Sequence, residues 1–284
     1  MTYETITYDV HDRVATITLN RPEHMNSIGV DMIHELVDAI ATIDGDDDVR
    51  CAVVTGAGRV FCAGADLSKR EETFAVDNYE NEFVATRDGA RAVALALYNS
   101  PKPFIAAING SAVGFGLTMT LPMDIRVCAD SAKLGFVFSR RGMIIDAAAC
   151  WFLPRIVSMS WAADWTYSGR MFPAEEAHRA GLVRELQPAD SVLPTALSIA
   201  AEVAAASPVS VSFTKALLWR ASTADTPLLA LDLDSAALRE LGTRPDCAEG
   251  VQAFLDRRPP RFTSKVSVDM PAPYGWWKQG RSAP

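Results

Sequence analysis

The sequence predicts an α/β fold, and three observations carry that reading. Short, largely apolar runs at residues 51–55 and 104–108, with a further strand at 125–129, are bounded by turn residues, as buried strands are. Stretches with helical spacing lie between and around them, the clearest at 29–43, where Met32, Leu36 and Ile40 recur with Ile33 and Val37 alongside. The composition, 49% hydrophobic and 22% charged, is that of a globular chain. No run reaches the roughly 20 consecutive apolar residues of a membrane helix. The longest candidate, 104–123, is broken by Asn109, Gly110, Ser111, Gly114, Gly116 and Pro122.

The elements follow in order. Residues 3–9 and 13–19 alternate Thr, Ile, Val and Tyr and read as two strands with a hairpin break at 11–13. The helix at 29–43 is expected to take Asn26 or Ser27 as its N-cap, and the acidic run 44–48 ends it. Strand 51–55 leads through the loop 56–59 into residues 60–66, and a helix is expected over 77–100. Strand 104–108, loop 109–114, a compact helix at 115–123 and strand 125–129 complete the alternating part. Beyond residue 146 the segments 147–157, 160–168, 173–180, 191–206, 208–220 and 228–241 read as helices, with one strand at 183–186. The tail 258–284 carries five prolines and the pair Trp276 and Trp277, which points to an extended arm docked on a surface.

Charge and cysteine usage exclude several classes. A net charge of −8 argues against a nucleic-acid or anionic-membrane partner, since phosphate neutralisation needs a positive surface. A single phosphorylated ligand held by a few local Arg or Lys side chains remains compatible with it. The five cysteines are scattered with no Cys-x-x-Cys pair, and all but Cys247 have apolar neighbours, which fits small buried hydrophobes in a reducing compartment. The first residues show no basic region followed by an apolar one, so the expected location is cytoplasmic. No metal-ligand spacing, Walker loop or Gly-x-Gly-x-x-Gly fingerprint is present, and no metal or separate cofactor is expected.

Two loops hold the informative residues. Ala63-Gly64-Ala65-Asp66 and Gly110-Ser-Ala-Val-Gly-Phe-Gly116 each lie where a strand gives way to a helix. Small residues let the backbone approach a ligand, and unsatisfied N–H groups there suit an anion or a developing oxyanion. One donor from each loop can clamp one carbonyl oxygen. Either loop alone is an ordinary turn; the pair in matched context is more specific.

The ordered set Asn20-Arg21-Pro22-x-x-x-Asn26, Phe61-Cys62-Ala63-Gly64-Ala65-Asp66 and Lys102-Pro103-x-Ile105-Ala106-Ala107-Ile108-Asn109-Gly110-x-Ala112-x-Gly114 resembles the crotonase (enoyl-CoA hydratase/isomerase) superfamily. Matches continue at Asp124-Ile125-Arg126, Ser168-Gly169-Arg170, Glu176-Ala177, Ala180-Gly181-Leu182-Val183 and Glu249-Gly250-x-x-Ala253-Phe254, so the resemblance spans about residues 3–262. It implies a ClpP-like spiral of ββα units, with residues 1–200 as the acyl-CoA-binding core. Residues 201–284 would then be a helical trimerisation region with an extended tail, in a homotrimer or a dimer of trimers. It also implies an acyl-CoA substrate of lipid catabolism, coenzyme A being part of that substrate.

By position, the oxyanion donors resemble the N–H groups of Ala65 and Phe115, the latter replacing the more usual Gly. Residues Ala63, Ala65, Asp66, Leu67 and Ser68, with Gly114 and Phe138, would line the thioester and adenine-side site. Arg21, His24 and Arg257 are candidates for the CoA phosphates. Asp66 also reads as a helix N-cap.

The departures are informative. Hydratases of this family carry two glutamates, and the matching positions here resemble Thr118 and Phe138, neither of which transfers a proton at neutral pH. Asp146, eight residues beyond Phe138, resembles the acidic residue of peroxisomal-type Δ3,Δ2-enoyl-CoA isomerases. Moving a double bond needs one base, so isomerisation through Asp146 is the favoured activity. Apolar neighbours Phe138, Ile144 and Ile145 are expected to favour its neutral form. The other readings are water addition through Asp146, an Asp146 nucleophile in dehalogenase- or hydrolase-like chemistry, acyl-CoA binding without turnover, and Asp146 as a plain helix cap.

Overall fold

A computed structural model of the chain describes residues 2–67 and 89–275. Ser68, the expected start of the helix at 77, and Trp276 and Trp277 lie outside the described residues. Strands β1 (Ile6–His11) and β2 (Val14–Leu19) form an antiparallel pair with Ile6 opposite Leu19 and His11 opposite Val14. The two residues between them, Asp12 and Arg13, both have positive φ, 47° and 68°, as the tight mirror-image hairpin turn requires. Helix α1 (Val30–Gly45) buries Met32, Leu36, Ala39, Ile40 and Ile43 along one stripe.

The cap of α1 corrects the sequence reading. Gly29 occupies the N-cap position without a side-chain bond, rather than Asn26 or Ser27. Asn26 is fully buried and serves elsewhere. Its Oδ1 accepts from the Arg21 N–H at 2.9 Å, and its Nδ2 donates to the carbonyls of Ala57 and Val60 at 2.9 and 2.8 Å. A side chain that joins two corners of the chain is unavailable to the helix.

The middle of the chain repeats one unit. Strand β3 (Cys51–Gly56) is followed by β4 (Val60–Cys62) and, later, α2 (Gly89–Asn99). Strand β5 (Phe104–Ile108) is followed by β6 (Ser111–Val113) and α3 (Phe115–Thr118). Strand β7 (Ile125–Ala129) is followed by β8 (Lys133–Gly135). The first strand of each unit joins one sheet, in the order β1-β2-β3-β5-β7-β10, and the second joins another, in the order β4-β6-β8-β9. The chain thus advances as a spiral of ββα turns. Every residue of β3 and β5 is buried, which is why both read as unbroken apolar runs.

The second half contributes α4 (Ala149–Ile156), α5 (Met159–Ser168), β9 (Met171–Pro173), α6 (Ala174–Arg179) and β10 (Glu185–Gln187). It continues through α7 (Val192–Ala205), α8 (Pro208–Arg220), α9 (Leu228–Leu241) and α10 (Pro245–Leu255). Strands β6, β8 and β9, and helix α10, are absent from the sequence reading. The strands are three residues long, too short for alternation to register. Helix α3 is also shorter than the expected 115–123, ending at Thr118 ahead of Pro122. No single helix among the described residues is long and apolar enough to cross a membrane.

Two buried cations fasten the layers together. Lys102, 1% exposed, donates from Nζ to the carbonyls of Ile43 and Asp46 and closes the C-terminal end of α1. Burial lowers its pKa, and the neighbouring Asp44, Asp46, Asp47 and Asp48 oppose the shift. Lys215 of α8 reaches the Lys102 carbonyl at 2.8 Å and Asp124 Oδ2 at 3.1 Å. The same carboxylate accepts from the Phe104 N–H at 2.8 Å and from Trp219 Nε1 at 2.9 Å. The tail docks on its own chain. Arg50 Nη2 donates to the Phe262 carbonyl at 2.7 Å, Asp47 Oδ2 accepts from the Ser267 hydroxyl at 2.6 Å, and Tyr274 is buried against Phe213.

Replacing one partner of a buried pair strands the other. Lys215→Met keeps the aliphatic bulk but leaves Asp124 without its cation, and is expected to lower the unfolding free energy by about 3 kcal/mol. Urea denaturation of the purified protein measures it.

Candidate active site

The two small-residue loops lie against each other because the strands before them are paired. Strands β4 and β6 run parallel, with Cys62 opposite Ala112. Gly64 adopts φ +97°, and a Cβ built there would stand 2.7 Å from the Val113 carbonyl oxygen and 3.6 Å from the Phe115 nitrogen. Only glycine fits this contact. Gly116 is packed as closely on the other side, where a Cβ would meet Cys62 Sγ at 2.7 Å.

Backbone bonds fix each loop and leave N–H groups over among the described residues. In the first loop the Ala63 N–H donates to Met25 O at 3.0 Å, Gly64 O accepts from Ile28 at 2.8 Å, and the Asp66 N–H donates to Ile28 O at 2.9 Å. The Gly64 N–H points at Cys62 Sγ, 3.3 Å away. Burial pushes the Cys62 thiol up to about 12, so it remains a neutral acceptor rather than a nucleophile. The Ala65 N–H has no acceptor among the described residues. In the second loop the Gly114 N–H donates to Gly135 O at 2.9 Å, and Gly114 O accepts from Leu117 and Thr118. The Phe115 N–H, at the start of α3, likewise has no acceptor among the described residues. These two backbone N–H groups thus lie on either side of the Gly64 contact, one in each loop.

Asp146 is brought to the same place from another part of the chain. It follows the short turn Ser139–Arg141 and precedes Ala147 and Ala148, both in left-handed backbone with φ 52° and 53°. The carboxylate is half-buried, and its Oδ1 accepts a hydrogen bond from the Thr118 hydroxyl. The N-cap position of α4 is held by Ala148, two residues further on. Phe138, 8% exposed, lies close over Gly114, its ring edge 3.9 Å from where a Cβ would be. Ile145 is partly buried against the core, but Ile144 is 87% exposed. The expectation that Ile144 walls Asp146 is corrected accordingly.

The remaining candidates divide. Arg21 Nη1 meets Asp66 Oδ2 at 3.1 Å and the Ser27 carbonyl at 2.9 Å, which ties the first loop to the segment before α1. His24 is exposed beside Glu23, and Leu67 is exposed at the outer end of the loop. Ala63 is half-buried at its start. Ser68 lies outside the described residues, as does the expected pocket wall at 77–84. Arg257 is exposed just past α10, near the tail that Arg50 holds at the beginning of β3.

Thr118 is the residue whose part the sequence does not reveal. Its partner is 28 positions away, and no local spacing links them. Two surface cavities, of about 370 and 430 Å³, lie elsewhere, one between α10 and the tail at Asp246 and Arg261, one at the strand corners around Arg59 and Asn109. Among the described residues no group of His, Cys, Asp or Glu could hold a metal ion.

The chain is similar to known proteins along most of its length. The model of the enoyl-CoA hydratase/isomerase family matches residues 9–265. The chain is 42% identical over 253 residues to an enoyl-CoA hydratase, ACTT3, of Alternaria alternata, covering 88% of this chain and 83% of that protein. It is 35% identical over 271 residues to the 1,2-epoxyphenylacetyl-CoA isomerase of Escherichia coli K12, covering 92% and 99%. Among solved structures, a probable enoyl-CoA hydratase/isomerase from Mycobacterium abscessus superposes with a TM-score of 0.84 at 36% identity, covering 92% of this chain and 99% of that one.

The left-handed pair beside Asp146 stores strain that glycine would not carry. Ala148→Gly is expected to raise the unfolding free energy by up to about 1 kcal/mol. The denaturation midpoint reads this gain.

Proposed function

The chain belongs to the enoyl-CoA hydratase/isomerase family, and from that premise we propose that it shifts the double bond of an enoyl-CoA thioester, with Asp146 as the single base. The observation that carries the proposal is the juxtaposition of two N–H groups, at Ala65 and Phe115, that have no acceptor among the described residues, with one carboxylate bonded to the helix that bears the second of them. The thioester carbonyl accepts from both N–H groups, which stabilises negative charge on oxygen and acidifies the C2 proton. Asp146 takes that proton from a 3-enoyl thioester. The electron pair moves through C2–C3, the C3=C4 bond gives up its pair to C4, and Asp146 returns the proton to C4. The product is the 2-enoyl thioester, with no net change in composition.

Hydration is the rival reading, and the hydratase name of the 42% identical relative favours it. Adding water is most simply done by two proton-transferring groups, one for water and one for the α-carbon. Thr118 and Phe138 stand where family hydratases place glutamates, and neither supplies the second group. Coenzyme A enters as part of the substrate, with no separate cofactor. Its phosphates lie toward Arg21 and His24, at the entrance to the first loop. Residues 201–284 support a homotrimer or a dimer of trimers in the cytoplasm. Leu231 and Leu238 of α9 and Phe254 of α10 present exposed apolar surface consistent with such an assembly.

Purified protein supplied with 3-enoyl-CoA and 2-enoyl-CoA of matched length should convert the first to the second and add little water to either. Formation of 3-hydroxyacyl-CoA alone would establish the hydratase reading instead. Asp146→Asn is expected to lower turnover by at least about 10²-fold. Gly64→Ala should do the same by parting the two loops, with the circular-dichroism spectrum unchanged.

A further inference from the structure

We propose that Thr118 is a positioning residue that holds the Asp146 carboxylate in register with the oxyanion donors; the proposal rests on the reading of Asp146 as the base. Helix α3 is a single turn, Phe115–Thr118, with all of its residues buried. Side chains on a helix lean toward its N-terminus, so the Thr118 hydroxyl lies back over the turn that begins at Phe115. The distance bears this out, since Thr118 Oγ1 is 3.4 Å from the Phe115 carbonyl oxygen. The same hydroxyl donates to Asp146 Oδ1. The base is therefore anchored one hydrogen bond from the peptide unit that follows the oxyanion donor.

A buried threonine that bonds the carbonyl three residues back is commonplace and needs no ligand. Here that carbonyl is the poorer acceptor. At 3.4 Å it competes with a carboxylate, and hydrogen bonds to ionised acceptors are the shorter and stronger kind. Thr118 is also fully buried, so water does not stand in for either partner. The arrangement suits both proton states of the base. While Asp146 is ionised, Thr118 donates to it. When Asp146 has taken the C2 proton, its neutral carboxyl can donate to Thr118 Oγ1, and the hydroxyl proton turns to the Phe115 carbonyl. The carboxyl thus keeps a partner in both halves of the transfer and stays in place to return the proton. Aspartate is one methylene shorter than the glutamate usual at this place in the related isomerases. Thr118 gives that shorter side chain a fixed anchor on α3.

The test uses the full-length protein, its 3-enoyl-CoA turnover, and deuterium uptake from D₂O at C2 of a saturated acyl-CoA. Thr118→Val removes the hydroxyl at nearly constant volume. It is expected to lower kcat and the exchange rate about 10- to 100-fold while KM stays within about 2-fold. Thr118→Ser restores the donor and should recover kcat to within about 3-fold of the parent, whereas Thr118→Ala should not. Combining Thr118→Val with Asp146→Asn should cost no more than Asp146→Asn alone, because both act through one group. Equal impairment by Val and Ser, a rise in KM with kcat intact, or a further loss in the double variant would overturn the role assigned to Thr118. A wild-type rate in Asp146→Asn would instead remove the premise. If Thr118→Val fails to fold, the Ser and Ala pair decides the question.

Discussion

The constraint on which the candidate site depends is the contact between two loops at Gly64. The space between its α-carbon and the Val113 carbonyl admits no side chain, so the loops approach to backbone distance and Phe115 N stands next to the first loop. This contact exists only because β4 and β6 are parallel neighbours, and they are neighbours because each ββα turn repeats the one before. Cys62 supports the arrangement from beneath, accepting from the Gly64 N–H and packing against Gly116. Asn26 and Asn109 hold the corners above it. Asn109 Oδ1 accepts from the Gly56 N–H at 3.1 Å and its Nδ2 donates to Gly58 O at 3.0 Å. The geometry of the site is thus a property of the spiral, and the side chains that do no chemistry fix where the donors stand.

Buried charge extends the same logic to the rest of the fold. Arg126 is enclosed among carbonyls, donating to Leu182, Thr120 and Met123 at 2.7, 3.0 and 2.7 Å, and burial brings its pKa down to about 10, still well above neutrality. Lys102 and Lys215 satisfy carbonyl oxygens at the ends of α1 and α2 in the same manner. A desolvated cation is costly unless its donors are met, so each one specifies a unique set of neighbours. Through Lys215 and Trp219, α8 is tied to the start of β7, and Trp219 also stacks with Trp151 of α4. The helix following Asp146 is in this way fastened to the C-terminal layer.

The sequence made legible what depends on local pattern. Strands β5 and β7 were readable to the residue as short, largely apolar segments between turn residues, and α8 and α9 from their length and helical spacing. Strands β6, β8 and β9 were not, because three residues carry too little pattern and exist as strands only by pairing with one another. The loop pair was legible from its glycines, whose spacing reflects a steric demand. The Thr118–Asp146 bond was not, since long-range contacts between single side chains leave no periodic trace. Asn26 shows the opposite error, a good capping residue drawn away by two carbonyls that only the folded chain brings within reach.

Charge explains one further feature of the site. The chain has an acidic excess of eight, and many of its guanidinium groups are already engaged. Arg21 is held by Asp66, Arg170 by Asp164 and Glu176, Arg244 by Glu240, and Arg258 by Glu249. Such pairing occupies positive charge that would otherwise draw in an anion, which puts the weight of recognition on directed donors at short range. Backbone N–H groups meet that need because their direction is set by the fold and they bring no counter-charge to be displaced. Donors of this kind can be aimed at the one atom where charge develops, whereas a lysine or arginine in their place would stabilise the bound anion in every state alike. A site built from two backbone donors and one anchored carboxylate can therefore work on an acidic protein.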